Sequence, residues 1–387
     1  MINEIPKTEF AERIERVQQE LARRDLDACL VHSSEIDFAN VLYLSNHWPQ
    51  WETAGVIVPR EGEPALLIGP EAEPFARARS VIQNIHRMIE YRESAEPDYP
   101  GIPIATFSDV FAGLNGGKGV RRLGLGDWSI LPMPVYEGAR KALGTKGEMV
   151  RADDIVSGMR TIKSENELAL LRKAHQITEV ALGEVIGKIR PGMTEKQVVG
   201  IVLESLYRNG AECEGFSQYV FSGVNTRPAI FRATHKKIAA GELIQLNIGA
   251  RFGGYCSAIG RPLMIGKMPA EMKRFVQFGL DAHLKTYELI KAGVTASDVA
   301  KKFVAFYGEK GFASNFLYGP CHGTGIIEVE KPWMETSSNY PLQENMTFMA
   351  DTFVTTPEFG LRWEDGFRVT KDGVEPFSGG WQKIIEI

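Results

Sequence analysis

An α/β N-terminal domain followed by an α+β domain with a curved antiparallel sheet is the fold class that the sequence predicts, on three observations. The 387 residues exceed one ordinary core, because domains run to roughly 150 residues. Early in the chain, short apolar runs alternate with helical periods. Later, long amphipathic helices flank apolar runs such as ELIQLNIG and NMTFMADTFVTT. A boundary is read near RADDIVSGMRTIKS, dividing the chain into residues 1–155 and 156–387.

The elements follow in order. Thr8 is expected to cap a helix in which Phe10, Ile14, Val17 and Leu21 recur on one face. ACLVHS reads as a buried strand, and VLYLS follows as an apolar run of the same kind. AGVIVPREGEPALLIG reads as a hairpin turned at REGEP, PEAEPFARARSV as a helix and LGLGDWSIL as another strand. No glycine-rich phosphate loop follows any of these strands, so nucleotide binding has no support. Past the boundary, ENELALLRKAHQITEVALGEVIGKI is a long helix closed by Pro191 and Gly192. MTEKQVVGIVLESLYRNG is the next, with Gly210 as its C-terminal cap, and one more is expected at about 270–292. There is no short-period repeat and no low-complexity tract.

Hydrophobic residues at 44% and charged residues at 24% describe a soluble globular chain. A net charge of −5 leaves no basic footprint, which excludes nucleic acid as the main ligand. No apolar run reaches the roughly 20 residues of a membrane span, and the charged opening MINEIPKTEFAERIERVQQE lacks a signal-peptide core. Cys29, Cys213, Cys256 and Cys321 lie far apart without a CxxC pair. That spacing fits a reducing cytoplasm and argues against a structural zinc site. A cytoplasmic protein is expected.

Six segments carry the chemistry: MRTIKSENELALLRKA, FSGVNTRPAIF, GELIQLNIGARFGGYCSAIGRPL, YGPCHGTGIIEVEKPW, ENMTFMADTFV and LRWEDGFRVTKDG. Through them, in that order, the chain resembles the creatinase, prolidase and aminopeptidase P group over nearly its whole length. The resemblance implies a creatinase-like N-terminal domain, a pita-bread catalytic domain and a homodimer. In the metallopeptidases of the group, two aspartates, one histidine and two glutamates hold two divalent ions. Two dications so close need several anionic oxygens to offset their repulsion and dehydration. By motif the five positions fall on Asn247, Ala258, His322, Asp351 and Glu364. Asn247 offers a neutral carbonyl and Ala258 offers nothing, so no metal or other cofactor is expected. Creatinase, the metal-free hydrolase of the group, has the same Asn/Ala replacement. Its catalytic histidine, however, falls on Ile230 and its guanidinium-binding glutamate on Gly260. The second histidine of the metallopeptidases falls near Val329, beside Glu330.

His322, Asp351 and Glu364 are expected to converge as the catalytic group, a histidine between carboxylates having a pKa raised toward neutral acid–base work. The bland alternative is a hydrogen-bonded remnant of a metal site. Asn247, Arg232, His235, Tyr255, Cys321 and Arg362 are candidate substrate contacts. For Cys321, a nucleophile reading competes with a strand residue facing away from its neighbour His322. His235 reads as a displaced catalytic histidine or a loop residue, and Arg362 as a carboxylate binder or a surface partner. Arg261 reads as a structural ion-pair residue. In creatinase a loop of the partner subunit reaches the site. The matching loop SNHWPQWETAG offers Trp48, Trp51 and Glu52, which would favour a cationic small-molecule substrate or serve as packing anchors. The leading expectation is a metal-independent, creatinase-like hydrolase of a non-peptide C–N bond in a small polar, cationic molecule. The alternatives are an Xaa-Pro dipeptidase-like enzyme with one metal on Asn247, His322, Asp351 and Glu364, and a catalytically inactive binding homologue.

Overall fold

A computed structural model describes residues 4–387. It divides into two compact units, Ile5–Arg160 and Thr161–Ile387.

In the first unit, helix α1 (Lys7–Arg23) buries Phe10, Arg13, Val17 and Leu21. Its N-cap is Pro6, not Thr8. The Glu9 amide already donates to the Pro6 carbonyl at 3.0 Å, which leaves Thr8 inside the first turn. Strand β1 (Ala28–Ser33) leads to α2 (Ala39–Ser45), and here the reading of VLYLS is corrected. The run is helical with every residue buried, and so short a buried segment carries no period to separate the two states. Strands β2 (Ala54–Pro59) and β3 (Ala65–Ile68) form the hairpin, followed by α3 (Glu73–Arg79) and β4 (Ile85–Arg87). Then come α4 (Phe107–Gly113), β5 (Arg122–Leu125), α5 (Met133–Leu143), β6 (Glu148–Arg151) and α6 (Asp153–Arg160). Strand β5 is shorter than LGLGDWSIL suggests. Asp127, at φ 56°, leaves the extended region, and its carboxylate takes the His32 amide at 3.0 Å and the Asn40 side chain at 2.7 Å. The sheet runs β4-β3-β2-β1-β5-β6, antiparallel at β1–β2 and β2–β3 and parallel elsewhere.

The second unit opens on α7 (Glu165–Lys188) and α8 (Glu195–Arg208). Each starts with a reciprocal capping box, Ser164 with Glu167 and Thr194 with Gln197. Strands β7 (Cys213–Glu214), β8 (Tyr219–Ser222), β9 (Leu243–Ile248), β10 (Ala250–Phe252), β11 (Tyr255–Cys256) and β12 (Ile259–Met264) precede α9 (Ala270–Leu289) and α10 (Ala296–Glu309). Two helices stand where the sequence predicts one at about 270–292. Helix α10 is a separate one, burying Val299, Ala300, Phe303 and Tyr307 on one face. Strands β13 (Cys321–Gly323), β14 (Glu330–Met334), β15 (Thr347–Thr355), β16 (Gly360–Val369), β17 (Val374–Pro376) and β18 (Ile385–Glu386) complete the chain.

The main sheet runs β14-β13-β15-β16-β12-β9-β8 and is antiparallel along this path. Phe278, Phe303, Tyr307 and Trp363 form one core cluster beside it, and Leu182, Val202, Leu246 and Ile259 form another. No helix among the described residues is long and apolar enough to cross a membrane. The register then sets the site. Tyr219 pairs with Asn247, Asn247 with Gly260, Gly260 with Glu364, and Glu364 with Asp351. Directly paired residues share a face, so these five positions form one row across five strands.

Candidate active site

Glu364 stands at the centre of that row. Its Oε2 accepts from Asn247 Nδ2 at 2.7 Å, and its Oε1 lies 3.5 Å from His322 Nε2. His322 Nδ1 is 3.1 Å from the Gly323 carbonyl oxygen, which can only accept, so Nδ1 carries the proton. Nε2 therefore faces Glu364 and, also at 3.5 Å, Glu328 Oε1. Burial opposes charge on the His322 imidazole, but Glu328, Glu364 and Asp351 outweigh it and hold its pKa up to about 9. Burial and the neighbouring Glu364 push Glu328 up, favouring its protonated form. Burial also acts on Glu364, yet His322 and Arg362 together draw it below the ordinary range.

Arg362, two residues before Glu364 on β16, points to the same face. Its Nε lies 3.0 Å from Asp351 Oδ1, an ion pair out of line for a hydrogen bond. Nη2 donates to the Ala229 carbonyl at 3.2 Å and to the Tyr318 hydroxyl. These groups line a cavity of about 460 Å³ together with Tyr219, Ile230, Val329 and Trp333. Ile230 is 80% exposed and Val329 43%, so both positions where the resemblance places imidazoles are apolar and open. Gly260 leaves the floor bare, and a Cβ there would stand 2.9 Å from Glu364 Cβ.

The FSGVN segment is held by one buried carboxylate. Glu195, at the start of α8, accepts from the amides and hydroxyls of Ser222 and Thr234 and from the Asn225 side chain. The intervening residues bring Ala229 and Ile230 to the cavity.

Of the residues singled out from sequence, Asn247, His322, Asp351, Arg362 and Glu364 line the cavity. Arg232 and His235 do not; both are exposed, and His235 Nε2 is 3.4 Å from Lys196 Nζ. Tyr255 is also outside it, its hydroxyl donating to Glu167 at 2.7 Å. Cys321 is corrected by strand alternation. It faces a core of Met334, Phe348, Ala350 and Phe367, where burial pushes its thiol well above the usual range. A Cys321→Ala protein should keep kcat within about threefold and lose roughly 1 kcal/mol; a collapse of kcat with unchanged melting would revive the nucleophile. In the N-terminal unit Trp48 stacks on Phe38 with ring centroids 4.1 Å apart. The Glu52 carboxylate accepts from the Glu71 and Ala72 amides at 3.1 and 2.8 Å and is committed to that turn. Trp51 is 78% exposed.

Glu328 and Tyr318 are the residues that sequence reading missed. For Glu328 the only signal is a carboxylate inside the apolar run IIEV, shortly after a site histidine. Nothing in the sequence marks Tyr318.

The helix-flanked antiparallel sheet with a histidine and carboxylates gathered on one face is a pita-bread scaffold. Residues 169–371 match the model of metallopeptidase family M24 and residues 13–162 that of the creatinase/prolidase N-terminal domain, and the chain belongs to family M24. An Xaa-Pro dipeptidase of Pyrococcus horikoshii is 28% identical over 378 residues, covering 97% of this chain and 99% of that protein. An uncharacterized hydrolase/peptidase of Sinorhizobium fredii is 29% identical over 387 residues, covering 96% and 94%. An X-Pro aminopeptidase structure from Thermotoga maritima superimposes with a TM-score of 0.84 at 24% identity, covering 97% of this chain and 99% of that one. The Pyrococcus horikoshii relative is a dipeptidase by name, which favours the Xaa-Pro dipeptidase-like alternative over the creatinase-like expectation.

Proposed function

We propose that the protein hydrolyses a carbon–nitrogen bond in a small polar substrate as an Xaa-Pro dipeptidase-like enzyme whose site takes at most one metal ion. The observation that carries this reading is the gathering of His322, Glu328, Asp351, Arg362 and Glu364 at one cavity of about 460 Å³. Pockets of roughly 300–1,000 Å³ accept small molecules of dipeptide size. The family's two-ion centre does not fit these residues, since Asn247 and Ala258 supply no carboxylate and Asp351 is already paired with Arg362.

A single ion, when bound, supplies Lewis-acid polarisation and a more acidic water. The chain's own groups do the rest. The acidic floor attracts the ammonium end of a dipeptide, and Arg362 gives its carboxylate a buried cation to approach. Glu364 is held by Asn247, so its free oxygen keeps a fixed position toward His322.

A second reading, the metal-independent hydrolase of a non-peptide C–N bond, is favoured by one contact. Asn247 donates to Glu364, and an amide donor satisfies that carboxylate without an ion. The deciding experiment purifies the protein without added metal and assays Xaa-Pro dipeptides beside guanidino and amidine compounds, with and without chelator. Dipeptide turnover that chelation removes and a divalent ion restores is expected. Chelator-resistant turnover of the non-peptide set would shift the assignment to the second reading. Binding without turnover of either would overturn both in favour of an inactive homologue.

A further inference from the structure

We propose that His322, Glu328 and Glu364 form a single-cation site in which Glu328 has taken the ligand place that Asp351 would hold. The inference rests on the peptidase reading only for the use of the ion, because the site can exist without that activity.

Three potential ligand atoms, one from each residue, lie within 4.8 Å of one another. His322 Nε2 is 3.5 Å from both carboxylates. Neighbouring ligands of a tetrahedral ion with bonds of roughly 2.0–2.2 Å stand about 3.3–3.6 Å apart. The two measured separations fall in that interval. The proton on His322 Nδ1 is fixed by the Gly323 carbonyl, which leaves Nε2 as the ring nitrogen that faces the two carboxylates and can take an ion in place of its proton. In the ion-free site a proton on Nε2 answers the two carboxylates, and a divalent ion would displace that proton and sit among the same three atoms.

An independent observation comes from Asn247. It lines the same cavity, is 2% exposed, and its Oδ1 has no hydrogen-bond partner among the described residues. Because a carboxylate only accepts, the amide nitrogen must face Glu364, leaving the carbonyl oxygen as a neutral fourth donor. Asp351 differs in having a cation already, with Arg362 Nε 3.0 Å from its Oδ1. Two carboxylates balance one dication, so the site suits a single divalent charge. An imidazole among the donors selects a first-row transition ion over calcium or magnesium, which prefer oxygen alone.

The test titrates Co²⁺ into chelator-treated, dialysed protein, reading stoichiometry by elemental analysis and binding by visible absorption. Wild type should take one ion per chain. Glu328→Gln should weaken binding by more than the ~10–100-fold that an outer-shell partner costs, while Asp351→Asn should stay within about tenfold of wild type. The opposite ranking would make Asp351 the ligand and overturn the proposal. So would two ions per chain, or none, in wild type, a result that stands even if the Gln variant fails to fold. A loaded wild type that holds one ion without cleaving Xaa-Pro dipeptides would end the peptidase reading and leave the site intact. Unchanged Co²⁺ affinity in Glu328→Gln beside wild-type cleavage would do the reverse.

Discussion

A His322→Ala protein is expected to lose about 10²–10⁴-fold in kcat/KM while keeping its fold. The size of the loss follows from the absence of a substitute. Among the described residues His322 is the one histidine lining the cavity, since Ile230 and Val329 occupy the places where the family resemblance puts imidazoles. Under either functional reading the same Nε2 is needed, as an ion ligand or as a proton carrier between Glu328 and Glu364. Removing it leaves those carboxylates facing each other, with a modest cost in stability that calorimetry would register. A variant retaining more than about a tenth of wild-type kcat/KM would place the chemistry elsewhere in the cavity.

The largest stability effect is expected behind the site, at Asp365. This carboxylate accepts from Arg261 and Ser378 on one oxygen, at 2.8 and 2.6 Å, and from His283 and Gln382 on the other, at 3.1 and 3.0 Å. Arg261 and Asp365 are both fully buried. Asp365→Asn would leave Arg261 without its counter-charge, at a cost of roughly 3–5 kcal/mol. For a unit of this size that lowers the melting temperature by ~6–20 °C. The sign of the pH dependence is fixed. Burial alone would raise the Asp365 pKa, but Arg261 and His283 depress it below the unfolded value of about 3.9. Its contribution is therefore full above that value and fades as pH falls through the folded-state pKa. Wild type and variant should converge on acidification, and a constant gap down to pH 2 would contradict the assignment. The pair also serves the active site, because Arg261 Nη1 donates to the Gly260 and Glu364 carbonyls at 2.8 and 3.0 Å. Loss of activity should thus precede melting as the Asn variant is warmed.

Helix starts were legible where side chains bond locally. The helix segments read from Glu165 and Met193 begin within two residues of the observed starts and Gly210 has positive φ, whereas the caps at Ser164 and Thr194 went unread and Thr8 lies inside its helix. VLYLS was not legible, because five residues, all buried, show neither period. At the site, strand residues could be read from motif spacing, which fixes which side chains share a face. What spacing could not give was the pairing among them. That Asp351 turns to Arg362 depends on a neighbour two residues before Glu364 and on the Tyr318 loop. Glu328 lies on a connection between strands, where no periodicity sets direction. Trp48 and Glu52 leave two readings open in the sequence, contacts for a cationic ligand or packing anchors, because loop aromatics and acids suit both. Phe38 and the Glu71 and Ala72 amides engage them within their own unit, as packing anchors would be engaged.

The bare floor at Gly260 bears on how such a scaffold can change its trade. A single substitution cannot reinstate a guanidinium clamp there, because even a methyl group would press on Glu364 Cβ at 2.9 Å and on its backbone nitrogen at 3.1 Å. Strands β12 and β16 would have to separate first, and the Arg261–Asp365 network holds them together. The rim carries no such constraint: Ile230 and Val329 are already open to solvent. Mutational paths toward new substrates therefore run through the mouth of the cavity, with the floor inherited nearly unaltered.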